Sequence, residues 1–537
     1  YTVTDLENGK TYAFAVRAVV NGVASRFSNV ATVIPVGESD PGDPGTDPGT
    51  DPGTDPGTDP GTDPGTDPGT DPGTDPGTDP GPDPVDPGKP GEGPVDPNNP
   101  GNGSGGSGGG SRSGGGGSGR QPSSSINHVI RVETTVDPQT GITTATIALD
   151  QGGLSQLAQS QPDSTVTVAV NEAADQYTIP VSGNLMQAMA NGQLVLDIQT
   201  PVGNYTLPVA AMNLAQLAEQ LVADGGLAGV QFQVSIAQSD AAATAAMEAA
   251  AAQGGYAIVV PPVEFAITAT YNGQTVVVSQ FNTYIKREIP IPAGVEPNSV
   301  TTAVVMDEQG NIRHVPTTIV ERSGRYYAVI HSLTNSAYAL IRHNKTFADM
   351  KGHWAQGVVE DLASRLVVNG VNANAFAPDK PITREQFAAL LIRALGLPEN
   401  AGILQVVPFK DVPVNAWYAA VVAQAKQYGL IRGYQDGTFR PGRPITRLEA
   451  FVMLSRAMKL AGLEGEIPAP EAEAVLVRFT DAQDVPGWAR PAVAAAVQFG
   501  LVRGSNGKLL LNKTITRAET AAVLHRLLVR AGFIHGE

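Results

Sequence analysis

The pattern of apolar and polar residues separates segments that alternate with a period of two from segments with helical spacing. Between Tyr12 and Ala18, apolar side chains occupy every second position, and the pairs Asn8-Gly9 and Asn21-Gly22 flank them. This alternation predicts short strands joined by tight turns over residues 1–36. Two such hairpins cannot bury a core alone. We therefore expect further strands upstream and treat the sequence as the C-terminal part of a longer precursor.

The strand pattern at the start resembles the end of a known β-sandwich. The run from Leu6 to Ala18, followed by Ser28-Asn29, resembles the last strands of a fibronectin type III domain. The resemblance covers about a third of such a domain and implies that residues 1–36 are its C-terminal part. The end of another kind of β-sandwich is the alternative.

Residues 126–345 show strand alternation interrupted by helical segments, which predicts a β-rich α+β domain. The Asn272-Gly273 pair predicts a hairpin turn, as do Gln309-Gly310 and Ser323-Gly324. Asn213 is placed to cap a helix that ends near Val222, and an Ala-rich helix is expected over 239–252. The predicted strands cover residues 165–170, 194–199, 230–236, 265–271 and 275–280.

Residues 37–125 are of low complexity and predict a disordered linker. Asp-Pro-Gly-Thr repeats give way to Pro-rich sequence and then to a Gly/Ser tract. Such a composition cannot form a core, so an extended stalk is the expected role. Calcium binding by the regularly spaced aspartates is the alternative, although the bidentate Glu that closes a calcium loop is missing.

Composition limits the chemistry that this chain can perform. The sequence contains no cysteine, which excludes disulfides and thiolate chemistry, and its net charge of −17 argues against nucleic acid as a partner. No apolar run is long enough for a membrane helix. His128, His314, His331 and His343 are widely spaced in the β-rich region. We therefore expect no catalytic residue, no metal site, no cofactor and no membrane insertion.

From residue 346 onward the sequence repeats three times. Each copy begins Phe-x-Asp, continues to a Trp and a Gly, and ends with Ile-Thr-Arg and an apolar helix pattern. The Trp positions are 63 and 71 residues apart, which indicates three units of one supersecondary structure. We expect each Trp to open a helix of about four turns that ends at the Gly. The repeats cover 346–404, 405–466 and 475–537.

These motifs resemble the S-layer homology family. The resemblance rests on the three Ile-Thr-Arg segments, the Phe-x-Asp starts and the run Gly433-Tyr434-Gln435-Asp436-Gly437-Thr438-Phe439-Arg440-Pro441. It covers about a third of the chain. It implies an all-α domain of three repeats around a pseudo-threefold axis, and binding to a secondary cell-wall polysaccharide that carries pyruvylated N-acetylmannosamine.

Twelve residues are the candidates for carbohydrate binding. The Arg supplies a fork for a carboxylate, the helix start supplies free amides, the Asp accepts hydroxyls, the Trp supplies an apolar wall and the Gly allows close approach. The set is Asp349, Trp354, Gly370, Arg384, Asp411, Trp417, Gly433, Arg447, Asp481, Trp488, Gly504 and Arg517.

Each candidate residue also has a structural interpretation. The Thr and the Glu or Gln three residues later fit a capping box. The Trp is a typical core residue at a helix start, and the Gly suits a left-handed helix end. The Arg opposes the helix dipole, so it needs another cause: either an ion pair with the Asp of its own repeat or contact with an anionic sugar.

The three repeats differ from one another. Repeat one has Gln386 where the others have Glu, and repeat three has Leu509 and Leu511 in place of Phe and Pro. We therefore expect the sites of repeats one and two to be better formed than that of repeat three.

The expected function is non-covalent anchoring of a secreted protein to the Gram-positive cell wall, with an extracellular, cell-surface location. Self-association into a surface layer is a further expectation. A second hypothesis is that the chain anchors a polysaccharide-degrading enzyme whose catalytic domain lies upstream. A third, that residues 126–345 are themselves catalytic or bind metal, is disfavoured by the scattered histidines. More sandwich modules upstream would favour the first, and a paired-carboxylate domain the second.

Overall fold

The computed structural model describes residues 12–14, 19–20, 23–24, 31–33, 128–222, 226–307, 309–398 and 408–536. The chain divides into two units, residues 1–120 and 121–537. In the first unit, β1 (Tyr12–Phe14) pairs with β4 (Ala31–Val33), and β2 (Val19–Val20) pairs with β3 (Val23–Ala24), both antiparallel. The proposed linker and most of the fibronectin-like segment lie outside the described residues, so both assignments stay predictions.

The second unit begins with a β region that contains fifteen strands and four helices among its described residues. The strands are β5 (Val129–Val136), β6 (Thr143–Leu149), β7 (Thr165–Ala169), β8 (Gln176–Ser182), β9 (Val195–Gln199), β10 (Asn204–Pro208), β11 (Gln231–Gln238), β12 (Ala257–Tyr271), β13 (Gln274–Val277), β14 (Gln280–Pro290), β15 (Thr302–Met306), β16 (Ile312–Val315), β17 (Thr317–Arg322), β18 (Arg325–Thr334) and β19 (Ala337–Arg342). The helices are α1 (Gln151–Ser160), α2 (Gly183–Asn191), α3 (Leu214–Leu221) and α4 (Ala241–Gly254).

These strands form two sheets that share one core. One sheet has the order β17-β18-β14-β10-β9-β7, and the other has the order β16-β15-β19-β12-β11-β8-β6-β5, with β13 paired to β12. Ile198 of the first sheet and Ile147 and Phe265 of the second are fully buried in the same apolar cluster. The alternating burial along β12 and β11 is the pattern that the sequence predicts for strands with one face in a core.

The turns and caps of the β region follow from local chemistry. Asn272 and Gly273 have φ values of 48° and 80°, the left-handed pair of a tight hairpin turn between β12 and β13. Asn213 caps α3 as predicted. The sequence analysis missed α1 and α2, because α1 carries Gly-Gly in its first turn and α2 begins at Gly183. A Cβ on Gly183 would lie 2.1 Å from the carbonyl oxygen of Leu227, so close packing requires the glycine.

The rest of the described chain is helical. The helices are α5 (Gln356–Ser364), α6 (Arg384–Ala394), α7 (Ala419–Gln427), α8 (Arg447–Leu460), α9 (Ala469–Leu476), α10 (Arg490–Gln498) and α11 (Arg517–Arg530). Residues of all three repeats, including Leu391, Leu454 and Leu524, share one apolar cluster. The order of a β-rich region followed by a helical region confirms the expected multidomain architecture.

The first helix of each repeat differs from its prediction. Helices α5, α7 and α10 begin two residues after their Trp and have nine residues each, which is about two and a half turns rather than four. They end six residues before Gly370, Gly433 and Gly504. The left-handed residues after these helices are Leu366, Gly429 and Gly500. The expected helix end at the motif glycine was therefore wrong.

The β region packs against the helical region. The Tyr284 hydroxyl donates to the Leu395 carbonyl at 2.7 Å, and its ring centroid lies 4.6 Å from that of Phe533. The apolar cluster of the helical region extends to Leu333 of β18. Contacts to repeat one and to the end of repeat three thus join the two regions. Within the described part of the chain, no helix has the length and apolar character that crossing a membrane requires.

Candidate carbohydrate-binding grooves

The three Ile-Thr-Arg segments meet at one point. The backbone N–H of Ile382 donates to the carbonyl of Ile515, that of Ile515 donates to Ile445, and that of Ile445 donates to Ile382, at 3.0–3.1 Å. All three side chains are fully buried. Three consecutive copies of a motif therefore close into a ring of hydrogen bonds, which places the following residues of each repeat next to a different repeat.

The motif aspartates brace a loop of their own repeat. The Asp411 carboxylate accepts from the amides of Phe439 and Arg440 at 2.8 and 2.7 Å, and Asp481 accepts from Leu509 and Leu510 at 2.8 Å. Asp349 binds the amides of residues 376 and 377 in the same way. The second residue of each braced pair has a positive φ, so each Asp holds a strained loop. Their role toward a sugar stays a prediction.

The motif glycines lie where a side chain has no room. A Cβ on Gly433 would be 2.2 Å from the Phe409 ring, and one on Gly504 would be 2.7 Å from the Phe479 ring. Gly370 has the same relation to Phe347, at 2.6 Å. Gly433 and Gly504 are left-handed, with φ of 73° and 72°. The first residue of Phe-x-Asp therefore packs on the glycine of the same repeat.

The capping boxes are confirmed, but the helix starts are not free. Glu449 accepts from the Thr446 amide at 3.0 Å while Thr446 accepts from the Glu449 amide at 3.3 Å. In repeat three, Thr516 and Glu519 form the same pair of hydrogen bonds. The amides of Arg447 and Leu448 donate to carbonyls of repeat three. The expectation that the first-turn amides of α8 are available to a ligand is therefore wrong, because the neighbouring repeat occupies them.

Each motif Arg reaches the next repeat rather than the Asp of its own repeat. Arg447 of repeat two donates through Nε to the Leu509 carbonyl at 2.9 Å and through Nη1 to Glu519 at 2.9 Å, both in repeat three. Arg517 of repeat three reaches repeat one in the same cyclic order. The reason is the ring of hydrogen bonds between the three isoleucines, which places each Arg beside the next repeat. The expected ion pair between the Arg and the Asp of the same repeat was therefore wrong.

A groove of about 270 Å³ surrounds Arg447 and combines all three repeats. Trp354 comes from repeat one, Arg447 and Phe451 come from repeat two, and Gly504 comes from repeat three. The remaining residues of its wall are Leu501, Val502, Arg503, Ser505, Glu519, Ala522, Val523 and Arg526. The candidate Arg, Trp and Gly do meet, but each comes from a different repeat.

This groove carries more positive than negative charge. Three arginines, at positions 447, 503 and 526, face the single carboxylate of Glu519. Burial lowers the pKa of Arg447, against the opposing effect of Glu519, and burial followed by the charge of Arg503 lowers the pKa of Arg526. An anionic group in the groove would relieve both effects.

The surroundings of Arg384 form a second cationic cluster. Arg384 is 6% exposed and lies over the rings of Tyr434 and Phe439, at 4.9 and 5.0 Å. Its Nη1 is 3.9 Å from Glu449, whereas its buried Nε has no hydrogen-bond partner. Burial, then Arg432 and then Arg384 lower the pKa of Arg456. A buried donor without an acceptor marks a place where a ligand oxygen fits.

Arg517 has a different environment. Its Nε donates to the Phe376 carbonyl at 2.7 Å and its Nη2 donates to the Asn369 carbonyl at 2.6 Å. Its guanidinium stacks on the Phe376 ring at 4.4 Å. Asn369 occupies the position that Arg432 and Arg503 occupy in the other repeats. The surroundings of Arg517 therefore contain one cationic side chain fewer than those of Arg384 and Arg447.

The three tryptophans are exposed. Trp354, Trp417 and Trp488 are 64%, 59% and 70% exposed, which rules out the core role that is usual for such a residue. Large apolar side chains on the surface are available for stacking against a ligand.

Sequence reasoning missed five arginines and a tyrosine at positions related to these sites. Arg456 and Arg526 each follow the motif Arg by nine residues, and Arg393 occupies the same position in repeat one. Arg432 and Arg503 immediately precede the motif glycine. These positions repeat with the motif, so aligning the three copies residue by residue would have found them. Tyr434, which donates to Glu449, has no counterpart in the other copies.

Comparison with known proteins identifies the repeats. Residues 346–388, 408–451 and 478–521 match the S-layer homology domain. The chain carries three S-layer homology domains. These domains bind cell-wall polymers in cell-surface proteins, so the expected anchoring function and cell-surface location are confirmed at this level.

Relatives match through this part of the chain. The chain is 34% identical over 201 residues to an amylopullulanase of Thermoanaerobacterium thermosulfurigenes, which is 37% of this chain and 10% of that protein. It is 34% identical over 179 residues to the surface-layer 125 kDa protein of Lysinibacillus sphaericus, 33% of this chain and 14% of the relative. A cellulosome-anchoring protein of Acetivibrio thermocellus is 31% identical over 167 residues, 30% of this chain and 35% of that protein.

Proposed function

We propose that the S-layer homology domains hold this chain to the cell wall by binding an anionic secondary polysaccharide in the grooves between repeats. The observation that carries the proposal is the groove at Arg447, in which three arginines face one glutamate beside an exposed Trp354. A carboxylate of the polymer supplies the missing negative charge. Pyruvylated N-acetylmannosamine, which carries such a carboxylate on an otherwise neutral, hydroxyl-rich ring, is the proposed sugar.

The ligand geometry follows from the chemistry of the walls. The carboxylate binds among the guanidinium groups, where charge-assisted hydrogen bonds are strong because water is partly excluded. The Trp354 ring covers one face of the sugar, and the backbone beside Gly504 lies close enough to contact its hydroxyls. The candidate aspartates act indirectly in this scheme, by holding the loops that shape the grooves.

We propose that the repeats are related by a pseudo-threefold axis through the ring of Ile382, Ile445 and Ile515. The cyclic order of the hydrogen bonds and of the arginine contacts supports this arrangement. Trp488 then lies beside Arg384 and Trp417 beside Arg517. Two grooves that engage one polymer would raise retention by about 10²–10⁴ over a single site. Self-association into a surface layer belongs to the same proposal.

The proposal is tested by co-sedimentation of the full chain with purified wall sacculi. Half of the sacculi are treated chemically to remove the polymers that are not peptidoglycan. The chain should pellet with intact sacculi and stay in the supernatant with treated ones. Depyruvylated polymer as a soluble competitor separates recognition of the carboxylate from recognition of the sugar, because only the native polymer should compete.

A second proposal concerns what the anchor carries. An amylopullulanase, and an exoglucanase of Acetivibrio thermocellus that is 32% identical over 201 residues, match over about the same length as the surface proteins. We propose an extracellular polysaccharide-degrading enzyme upstream as the alternative cargo. Sequencing the gene upstream of Tyr1 decides between them: a paired-carboxylate domain supports the enzyme, and further sandwich modules support a structural protein.

A further inference from the structure

The junction between the β region and the helical domains contains most of the histidines of the chain. Four of the seven lie there, His314, His331, His343 and His535. Three of these look scattered in the sequence, yet β16, β18 and the end of β19 bring them to the same junction. Within the described part of the chain, no group of acidic residues and histidines is arranged to hold a metal ion. Their concentration therefore calls for another explanation.

The junction is tightly packed and connects strands to two of the three repeats. The Arg313 guanidinium donates to the Gly396 carbonyl, and the Arg365 guanidinium of repeat one donates to the Thr317 carbonyl at 3.3 Å. A Cβ on Gly396 would lie 2.5 Å from Cδ of Pro316. The two surfaces therefore leave no room for a methyl group at this contact.

His314 is fully buried on β16 and can be protonated only at a cost. Its Nδ1 is 2.9 Å from the Thr302 hydroxyl, whose single proton goes to the Val315 carbonyl at 3.1 Å. The buried Nε2 of His314 has no hydrogen-bond partner. Burial, and then the charges of Arg365 and Arg313, drive the pKa of His314 well below its usual range.

His331 on β18 is partly buried and contacts the helical region. Its ring lies 5.2 Å from that of Phe533, at the end of the helical region. Burial, followed by Lys286 and Arg287 of β14, lowers the pKa of His331 to about 4, against the weaker opposing effect of Glu288. Glu288 is itself paired with Lys286 at 3.0 Å and with Arg322 at 2.6 Å, so its charge is already engaged.

The other two histidines make polar contacts at the junction. His343 lines a polar cavity with Glu360 and Asp361, and its Nδ1 lies 2.9 Å from the Ser364 carbonyl oxygen. His535 Nε2 lies 2.9 Å from the Ile319 amide and 2.6 Å from the Ile319 carbonyl. The histidines whose charged form burial disfavours are His314 and His331.

We propose that this junction is an acid-sensitive latch, which holds the β region against the helical domains near neutral pH and releases it in mildly acidic surroundings. Both histidines favour the neutral form when docked. Docking is thus fully stabilised above the ordinary histidine pKa of about 6.5 and weakens as the pH falls toward 4.

The absence of cysteine allows a direct test on the full chain. Ile130→Cys and Val477→Cys place one dye on an exposed position of each region. Energy transfer between the dyes should stay constant above pH 6.5 and change between pH 6.5 and 4, while circular dichroism shows that strands and helices persist. His331→Phe keeps a ring against Phe533 but cannot be protonated, so it should move the midpoint about one pH unit lower.

A matched control and three outcomes make the test decisive. His128→Phe replaces a histidine away from the junction and should leave the midpoint unchanged. Constant energy transfer down to pH 4 overturns the proposal. So does an unchanged midpoint in the His331→Phe chain, and so does loss of secondary structure at the same pH, which would be acid unfolding rather than undocking.

Discussion

Arg447 and Arg517 occupy the same position of the same motif, yet their surroundings differ. Arg447 is bound to a carboxylate and opens on a groove with two further arginines. Arg517 donates to two backbone carbonyls and stacks on Phe376. The motif therefore determines where the guanidinium is placed, and the next repeat determines what it does. A repeat's own sequence is a poor guide to a site such as the groove at Arg447, which combines three repeats.

The comparison also shows that residues of repeat three contribute to the groove of another repeat. Repeat three departs furthest from the motif, and its site was expected to be the least well formed. Its Gly504, Arg503 and Glu519 nevertheless line the groove at Arg447, and Leu509 contributes only its backbone carbonyl there. The departures fall at Leu509 and Leu511, which are both buried apolar residues. We therefore rank grooves rather than repeats.

The largest expected effect comes from removing the Arg447 guanidinium. Arg447→Ala should reduce retention of the full chain on sacculi by about 10- to 100-fold, since a charge-assisted hydrogen bond to a ligand carboxylate contributes about 1.5–3 kcal/mol. Arg517→Ala should reduce it by less than about threefold, because its donors already serve backbone carbonyls. Binding isotherms on sacculi measure both.

For these two alanine variants, an effect on folding must be distinguished from an effect on binding. Arg447→Ala leaves Glu519 without its 2.9 Å partner, so chemical denaturation of both variants should accompany the isotherms. Arg447→Lys keeps the charge but loses the fork, and should recover less than half of the lost binding energy. Equal losses for the two alanine variants would contradict the comparison.

A smaller effect is expected from the exposed tryptophan. Trp354→Ala should weaken retention about fivefold, because stacking against a sugar face contributes about 1 kcal/mol. It should leave the unfolding free energy almost unchanged, since the side chain is 64% exposed. Val414→Ala is the matched control, as Val414 is 63% exposed and does not line the groove. Loss of stability without loss of retention would assign Trp354 a structural role.

The smallest effect is expected from adding, near Arg517, the charged side chains that its surroundings lack. Asn369→Arg with Gln386→Glu gives the surroundings of Arg517 the residue types that line the groove at Arg447. Retention on sacculi should rise about two- to threefold if the site at Arg517 gains affinity for the same polymer. The same isotherms measure this gain, and Arg517→Ala in the doubly substituted chain should abolish it. A gain that survives Arg517→Ala would mean that nonspecific charge, not the completed site, causes it.

Local features of the fold could be predicted because they depend on neighbours in sequence. The capping boxes at Thr446 and Thr516 follow from side chains three residues apart, and the Asn272-Gly273 turn follows from two residues that tolerate positive φ. The repeat period likewise identified which residues recur. These inferences needed no knowledge of packing.

The grooves could not be predicted because they depend on how the repeats close. Nothing in the spacing says that Ile382 bonds to Ile515, and from that contact follow the partners of Arg384 and Arg517. The motif glycine was placed at a helix end because Gly favours that position. In the structure, a glycine is required at this position because it leaves space for the Phe ring of its own repeat. The repeat period of about sixty residues cannot reveal that contact.

Isothermal calorimetry with a soluble fragment of the wall polymer tests the central claim most directly. The full chain should bind the pyruvylated fragment with exothermic heat, and the Arg447→Ala chain, folded by circular dichroism, should bind it at least about tenfold more weakly. Equal heats and affinities for the two chains would contradict the account, because the ligand carboxylate would then not lie at the groove between the three repeats.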